Sequence, residues 1–420
     1  MPEIRLRRPM SYWVVVFGIS LLLVPMFPAR GIQAMWGEEW LQLLRLWNGV
    51  AFGVALIIWA SRSRITNAVL LCALDFNCVV LLSTVLCDGS LRVWWEAWLP
   101  CCTAVILAAG MGKSGSLQLL YAVFGFTFVL SGINAVSMIL YPGGMVDVSV
   151  YFLENRNAVF SLIFPCLGGS LLIDRIRGVA FSVRSAVSFI LSWTQVLLGG
   201  SVTSTIALIV FSVSIVLMIF QKRSRRVLTG WMFLLISLVA SFLVVVMRVH
   251  HYLGFIVSGL FGKSMSLSGR DRVWDKVFSL IGGDHLIFGG GATAYSDLII
   301  DDAQYYHAHN AYLQALFIGG LVGFALLITM LLLYSHKQHR LRCHPISAFS
   351  AAIIGGYLVV AISETMLGPS FFLMLSILTI LPVTALKIAK IGRVLNDAPM
   401  AWADVTRLEY SKHEKRPSIE

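Results

Sequence analysis

VTSTIALIVFSVSIVLMIF QKRSRRVLTG WMFLLISLVASFLVVVM, residues 202–247, sets the fold class. Two apolar runs, 202–220 and 229–247, flank a connector that carries Lys222, Arg223, Arg225 and Arg226. A bilayer core about 30 Å thick takes about 20 apolar residues of α-helix to cross. Inside it each backbone N–H and C=O must be satisfied within the segment, which a helix achieves and an open strand does not. Each run therefore predicts a spanning helix. The connector between them predicts the cytoplasmic side, where Lys and Arg accumulate between spans.

The alternation continues in both directions. Further spans are expected near 11–28, 47–60, 66–87, 97–110, 117–140, 158–173, 180–198, 311–334, 346–366 and 370–388, which makes about twelve in all. One side collects Arg5/Arg7/Arg8, Arg62/Arg64, Lys113, Arg175/Arg177, the quoted connector, Lys337/Arg340/Arg342 and Lys387/Lys390/Arg393. The other collects 29–46, 88–96, 141–157, 199–201, 248–310 and 367–369, where acids offset the bases. Both termini are predicted to be cytoplasmic. The run after Tyr12 imitates a secretory signal, but it ends in Pro25, Pro28 and Arg30 without a small-residue cleavage site, so it reads as a retained helix. The fold expectation is an all-α polytopic transmembrane bundle over 1–392, one long periplasmic loop with short helices at 248–310, and a polar cytoplasmic tail at 393–420.

Composition agrees with this reading. The chain of 420 residues is 58% hydrophobic and 13% charged, too little polar surface to cover a soluble globule of this size. Its net charge of +11 sits in clusters between apolar blocks, where topology accounts for it, and no nucleic-acid motif accompanies it. The cysteines lie in or beside apolar blocks, except Cys343 in a basic connector, and predict neither a disulfide nor a zinc site. No cofactor is implied.

A connector as long as 248–310 is more often functional than idle. Ser268 ahead of Asp271 has capping-box spacing, and Val273, Trp274, Val277, Phe278 and Ile281 follow at helical intervals before Gly282 and Gly283. Positions 270, 274, 277 and 281 share one face, so Arg270 continues an apolar stripe and turns inward at the first turn of the helix. Free N–H groups there favour anions, and a guanidinium fork adds bidentate phosphate recognition. The plainer alternative is an interfacial arginine that snorkels or pairs with Asp271 or Asp275. Phe288 followed by Gly289, Gly290 and Gly291 lacks a strand-to-helix setting and reads as a tight turn.

His307, Ala308, His309 and Asn310 lead into the next span, and Asn310 can cap it. A histidine beside a helix N-terminus is biased towards the neutral form and can accept a proton near pH 7. It could equally be an interface histidine tied to a carbonyl. A third reading makes His307, His309 and Asp301 or Asp302 metal ligands, but the spacing matches no recognised motif, and the expectation is no metal. Earlier in the chain, Glu154, Asn155, Arg156 and Asn157 stand at the mouth of the 158–173 span, where they could bind sugar or phosphate or serve as cap and interface residues.

Taken together, Ser268-Gly269-Arg270-x-x-x-Trp274, Phe288-Gly289-Gly290-Gly291, His309-Asn310-x-Tyr312-Leu313-Gln314 and Gly319-Gly320-x-x-Gly323 resemble the O-antigen ligase and polymerase superfamily. Asn155-Arg156-Asn157 looks like that family's earlier outer motif. The resemblance covers about a third of the chain. It implies a metal-independent, inverting membrane glycosyltransferase of the bacterial inner membrane with a periplasmic site. Such an enzyme takes a glycan from undecaprenyl pyrophosphate and joins it to a hydroxyl of lipid A-core or another glycan. By the same resemblance, Arg270 would hold the donor pyrophosphate, His309 would deprotonate or orient the acceptor hydroxyl, and Arg156 would be a second phosphate contact. Arg272, Asn310 and Trp274 would be substrate-binding neighbours. The chain departs from the family at Gly200-Ser201-Val202-Thr203-Ser204-Thr205, which lacks an arginine that Arg248 or Arg272 could replace.

Ligation onto lipid A-core is the first expectation, and polymerisation of lipid-linked repeat units is the second. The alternative of another class is a secondary transporter or lipid flippase, which calls for ionisable residues at mid-membrane and related halves. Asp75 is the clearest buried candidate in the sequence, and no repeat is evident.

Overall fold

The computed structural model describes residues 10–62, 67–145, 150–153, 155–221, 223–252, 269–283 and 285–396, with backbone alone for 250 and 383–396. Expectations that rest on Arg5, Arg7, Arg8, Arg64, Glu154, Lys222, Ser268 and the tail from 397 lie outside the described residues. The described chain is almost wholly helical. Its principal helices are α1 (Met10–Leu22), α2 (Arg30–Arg62), α3 (Ala68–Leu86), α4 (Leu91–Ala97), α5 (Leu99–Leu140), α6 (Arg156–Ile176) and α7 (Val183–Gly199). They continue with α8 (Val202–Phe220), α9 (Gly230–Val246), α10 (Arg270–Leu280), α11 (Ala311–Arg340), α12 (Pro345–Val360) and α13 (Pro369–Asn396). Among the described residues the regular sheet is one hairpin of two two-residue strands, in which Ile299 pairs with Gln304 and Ile300 with Ala303.

Six of these helices, α2, α3, α5, α6, α8 and α11, are long and apolar enough to cross a membrane, and α1, α7, α9, α12 and the first part of α13 are shorter and apolar. Several boundaries differ from the sequence expectation. The 47–60 span is the second part of a helix of 33 residues that breaks at Gly37. The expected 97–110 and 117–140 spans run on as one helical stretch interrupted only at Gly112, whose φ of 53° leaves the helical region. A third break falls at Gly320 in α11, with φ 61°. Only glycine takes up such angles without a steric penalty, which locates each break. Inside α6, Phe164–Gly168 winds as a wider turn around Pro165, whose ring removes one helical donor. α12 stops at Val360, well short of 366.

Helix association in lipid depends on close packing and buried hydrogen bonds, because apolar side chains gain little by leaving lipid for protein. α6 is the most enclosed of the six long helices. A Cβ on Gly356 would lie 2.4 Å from the Phe164 ring, and one on Gly168 would lie 2.9 Å from Ile353. The missing side chains let α6 and α12 meet. Tyr357 stacks on Phe164 with centroids 4.8 Å apart and reaches Ser370 through its hydroxyl at 3.1 Å. α5 packs on α2 and α13, α3 on α11, and α8 on α12.

The connectors gather at two ends, in the groups the charge alternation predicts. At one end the N–H of Gly31 donates to the Phe152 carbonyl at 2.7 Å, Arg156 lies against Gly199, Thr203 meets Ser363 at 2.8 Å, and Arg270 meets Glu364. At the other, Arg62 meets Met111, Asp174 pairs with Arg184, and the N–H of Gly230 donates to Gln338 at 2.9 Å. Asp75 lies exposed on the side of the bundle, so it is not the interior mid-membrane charge that a transporter would need.

Candidate active site

The first end is organised by the glycine runs at 289–291 and 319–320. They do not form a free turn but fit against each other. A Cβ on Gly289 would fall 2.5 Å from the backbone of Ile318 and Gly320, and a Cβ on Gly320 would fall 2.3 Å from the Ile287 carbonyl oxygen. The N–H of Gly290 donates to the Phe317 carbonyl at 2.9 Å. From the other flank, the Ser83 hydroxyl donates to the Phe288 carbonyl, and Thr84 Oγ1 accepts the N–H of Ala292 at 2.8 Å. The loop is thus clamped between the end of α3 and the start of α11.

Next to this clamp, Asn310 caps α11 as expected. Its Oδ1 accepts the N–H groups of Tyr312 and Leu313 at 3.1 and 2.9 Å, and its amide donates to Ser241 and to the Ile362 carbonyl. The N–H of Ala311 donates to the Ala361 carbonyl at 3.0 Å. These bonds hold the turn after α12 against the start of α11. His309, one residue before the cap, has a φ of 47°, a left-handed conformation uncommon outside glycine that often marks a functional position.

α10 is fixed from the opposite side. It starts on Gly269, whose φ of 86° supplies the turn, with no side-chain cap. Val273, Trp274 and Val277 are fully buried, and Trp274 Nε1 donates to the Ala308 carbonyl at 3.0 Å. Arg248 lies over the Trp274 ring at 5.0 Å and pairs with Asp271 at 2.9 Å and Asp275 at 2.5 Å. Those acids are therefore occupied, and the expected alternative in which Arg270 pairs with Asp271 or Asp275 is not what the structure shows. Arg270 turns inward, with 17% of its side chain exposed.

It meets Glu364. Arg270 Nη2 donates to Glu364 Oε1, and Glu364 Oε2 lies 3.1 Å from His309 Nδ1. Arg270 and His309, 39 positions apart in sequence, thus share one carboxylate that is 4% exposed. The carboxyl sits in the 361–368 connector. Burial alone would raise its pKa, but the His309 hydrogen bond and the Arg270 charge outweigh burial and hold it below the usual range, so it is ionised at neutral pH. His307 stacks edge-on to His309 with centroids 4.1 Å apart, and its Nδ1 accepts the His309 N–H at 3.3 Å. Burial, with the nearby His309 and Arg270, pushes the His307 imidazole down to about 4, so it is neutral at pH 7.

Glu364 is the site residue that sequence reading missed. It lay inside an expected span at 346–366, where neighbouring Ala361, Ile362, Met366 and Leu367 mask the polar triplet Ser363-Glu364-Thr365. That triplet just before Gly368-Pro369 is the signal that could have exposed it. The other candidates divide. Arg272 is 69% exposed and pairs with Asp301, and Glu364 stands beside the two histidines where the metal alternative had Asp301 or Asp302. Trp274 and Asn310 are buried and engaged by the protein on the bonds given above. Arg156 stands apart, beside Gly199, and connects through Asn157, Ser204 and Thr203 to Ser363.

The family profile described as O-antigen ligase matches residues 187–328. The matched segment is similar to the O-antigen ligase family. The match supports the resemblance to the O-antigen ligase and polymerase superfamily over about a third of the chain, and it includes Arg270, Trp274, both glycine runs, His309 and Asn310. Arg156 and Glu364 lie outside it. No curated protein matches the chain. Together with the apolar helices, the match indicates a multi-pass membrane protein.

Proposed function

We propose that this protein, whose residues 187–328 resemble the O-antigen ligase family, is a metal-independent, inverting glycosyltransferase of the bacterial inner membrane. It moves a glycan from undecaprenyl pyrophosphate to a hydroxyl of lipid A-core at the periplasmic face. The observation that carries the proposal is the convergence of Arg270 and His309 on the buried Glu364 carboxylate. Glu364 accepts the Nδ1 proton of His309 and so leaves Nε2 as the basic nitrogen. The acceptor hydroxyl gives its proton to that nitrogen while its oxygen bonds to the anomeric carbon. The carbon–oxygen bond to pyrophosphate breaks, and its electron pair leaves with the phosphate. Arg270 meets that charge with the N–H groups not used on Glu364, and the imidazolium that forms is balanced by Glu364. No covalent intermediate is needed, so one displacement inverts the anomeric centre.

In this proposal Arg156 is a second contact for phosphate and Arg272 an outlying one, while Trp274 and Asn310 position the two central residues. The membrane domain spans 1–392 and crosses about twelve times, with α5 crossing twice and Gly112 at its inner turn. The test is reconstitution with an undecaprenyl-pyrophosphate glycan, offering lipid A-core and a second donor molecule as competing acceptors. Glycan on lipid A-core is expected, and Arg270→Ala should lower transfer by about 10²–10³-fold. Elongation of the second donor in place of lipid A-core would identify a polymerase. Undiminished transfer by Arg270→Ala would remove the proposed role of that residue.

A further inference from the structure

His307, His309 and Glu364 each offer a ligand atom, and these atoms lie within 4.8 Å of one another. Two imidazoles and one carboxylate are the donor set of many zinc sites, whose ligands stand about 2.0–2.2 Å from the ion and therefore roughly 3.3 Å from one another. His309 Nδ1 and Glu364 Oε2, at 3.1 Å, already have that separation. His307 completes the set by closing in from within 4.8 Å of those two atoms. We infer that this trio is a binding site for a divalent d-block cation such as Zn2+, and that occupation switches the enzyme off.

The inhibitory consequence rests on the transfer reading above and follows from tautomers. Metal on His309 Nδ1 displaces the proton that Glu364 would otherwise accept. A neutral ring then keeps its one proton on Nε2, the nitrogen assigned to receive the acceptor proton. The bound ion thus removes the base without touching Arg270. Arg270 opposes binding, because its guanidinium already neutralises the Glu364 carboxylate through Oε1. The site is accordingly a competition between a resident cation and an incoming one, and this makes the sign of one variant unusual: deleting Arg270 should tighten metal binding.

The experiment titrates Co2+ into the full-length protein in detergent, purified on a tag without histidine, and reads the visible absorption of the coordinated ion. Zn2+ is then measured by displacement. One equivalent of bound ion is expected, weakened about tenfold or more by His307→Ala and by Glu364→Gln and strengthened by Arg270→Ala. Absence of a bound equivalent in the wild-type protein would overturn the inference, as would affinity indifferent to all three substitutions. Because binding is read without donor or acceptor, the titration result stands even if the transfer reaction proves to be a different one. With the transfer assay, Zn2+ should inhibit and a chelator should restore the rate, and a Zn2+-loaded protein of full activity would overturn the switch.

Discussion

At Glu364, two oxygens serve two different partners, with Oε1 on Arg270 and Oε2 on His309. Glutamine keeps the shape but removes the charge and turns an N–H towards one of those partners. A hydrogen bond to a charged group contributes about 1.5–3 kcal/mol, so Glu364→Gln should lower kcat of transfer by roughly 10–100-fold. Steady-state kinetics in liposomes would read this, and an unchanged kcat would show that His309 needs no carboxylate. His307 offers a separate test. Its folded-state pKa of about 4 lies below the usual 6.5, so the unfolded chain binds a proton through that window while the folded one does not. Stability is therefore full above about pH 6.5 and declines as the pH falls towards 4, by on the order of 3 kcal/mol. Melting temperatures measured in chelator across this range should fall less for His307→Gln than for the wild-type protein. Equal slopes would mean that the ring is not held neutral. The inward turn of Arg270 and the place of His309 at a loop exit were legible locally, while the roles proposed for them came from the family resemblance. Glu364 was not legible, because its partners are remote in sequence and hydropathy averages it into a span.

The helices α3, α10, α11 and α12 meet because particular positions lack a side chain or cap a turn. Sequence reading saw Gly289-Gly290-Gly291 and Gly319-Gly320 as two separate signals, and nothing local says that each is the other's partner. Their contact predicts an asymmetric outcome between adjacent residues. Gly320→Ala places a methyl group 2.3 Å from a carbonyl oxygen at a φ of 61°, where left-handed strain alone costs about 1–2 kcal/mol. Its total cost should be at least about 2 kcal/mol, and transfer activity should fall with it as His309 loses its support. Gly319→Ala meets only Val79 at 3.7 Å, an ordinary contact, and should be tolerated. Thermal unfolding of the two purified variants separates them, and equal stability would refute the clamp. The same logic explains the helix breaks. A glycine inside an apolar run carries no mark of whether it packs, as Gly356 does, or breaks the helix, as Gly112 does, until its neighbours are known.

For the whole molecule, the charge alternation proved more informative than span edges. Span lengths mislead because hydropathy does not register a break such as Gly37 or the early end of α12. The side on which each connector lies depends only on its bases and acids, and those groups match the connectors that touch one another at each end of the bundle. The physical reason is that topology is set by a few charges near span ends, whereas exact boundaries depend on tertiary packing. Contact shows which connectors share an end, and labelling can show which end faces the cytoplasm. Cys343 is exposed on the connector between α11 and α12, the end predicted to be cytoplasmic, and Tyr252 is 83% exposed at the start of the long loop. In a variant that keeps Cys343 alone, a membrane-impermeant maleimide should label spheroplasts only after they are lysed. In a variant lacking every native cysteine and carrying Tyr252→Cys, labelling should occur before lysis. The reverse pattern would put Arg270 and His309 on the cytoplasmic side, away from a periplasmic acceptor, and would refute the proposed reaction even if both residues proved essential.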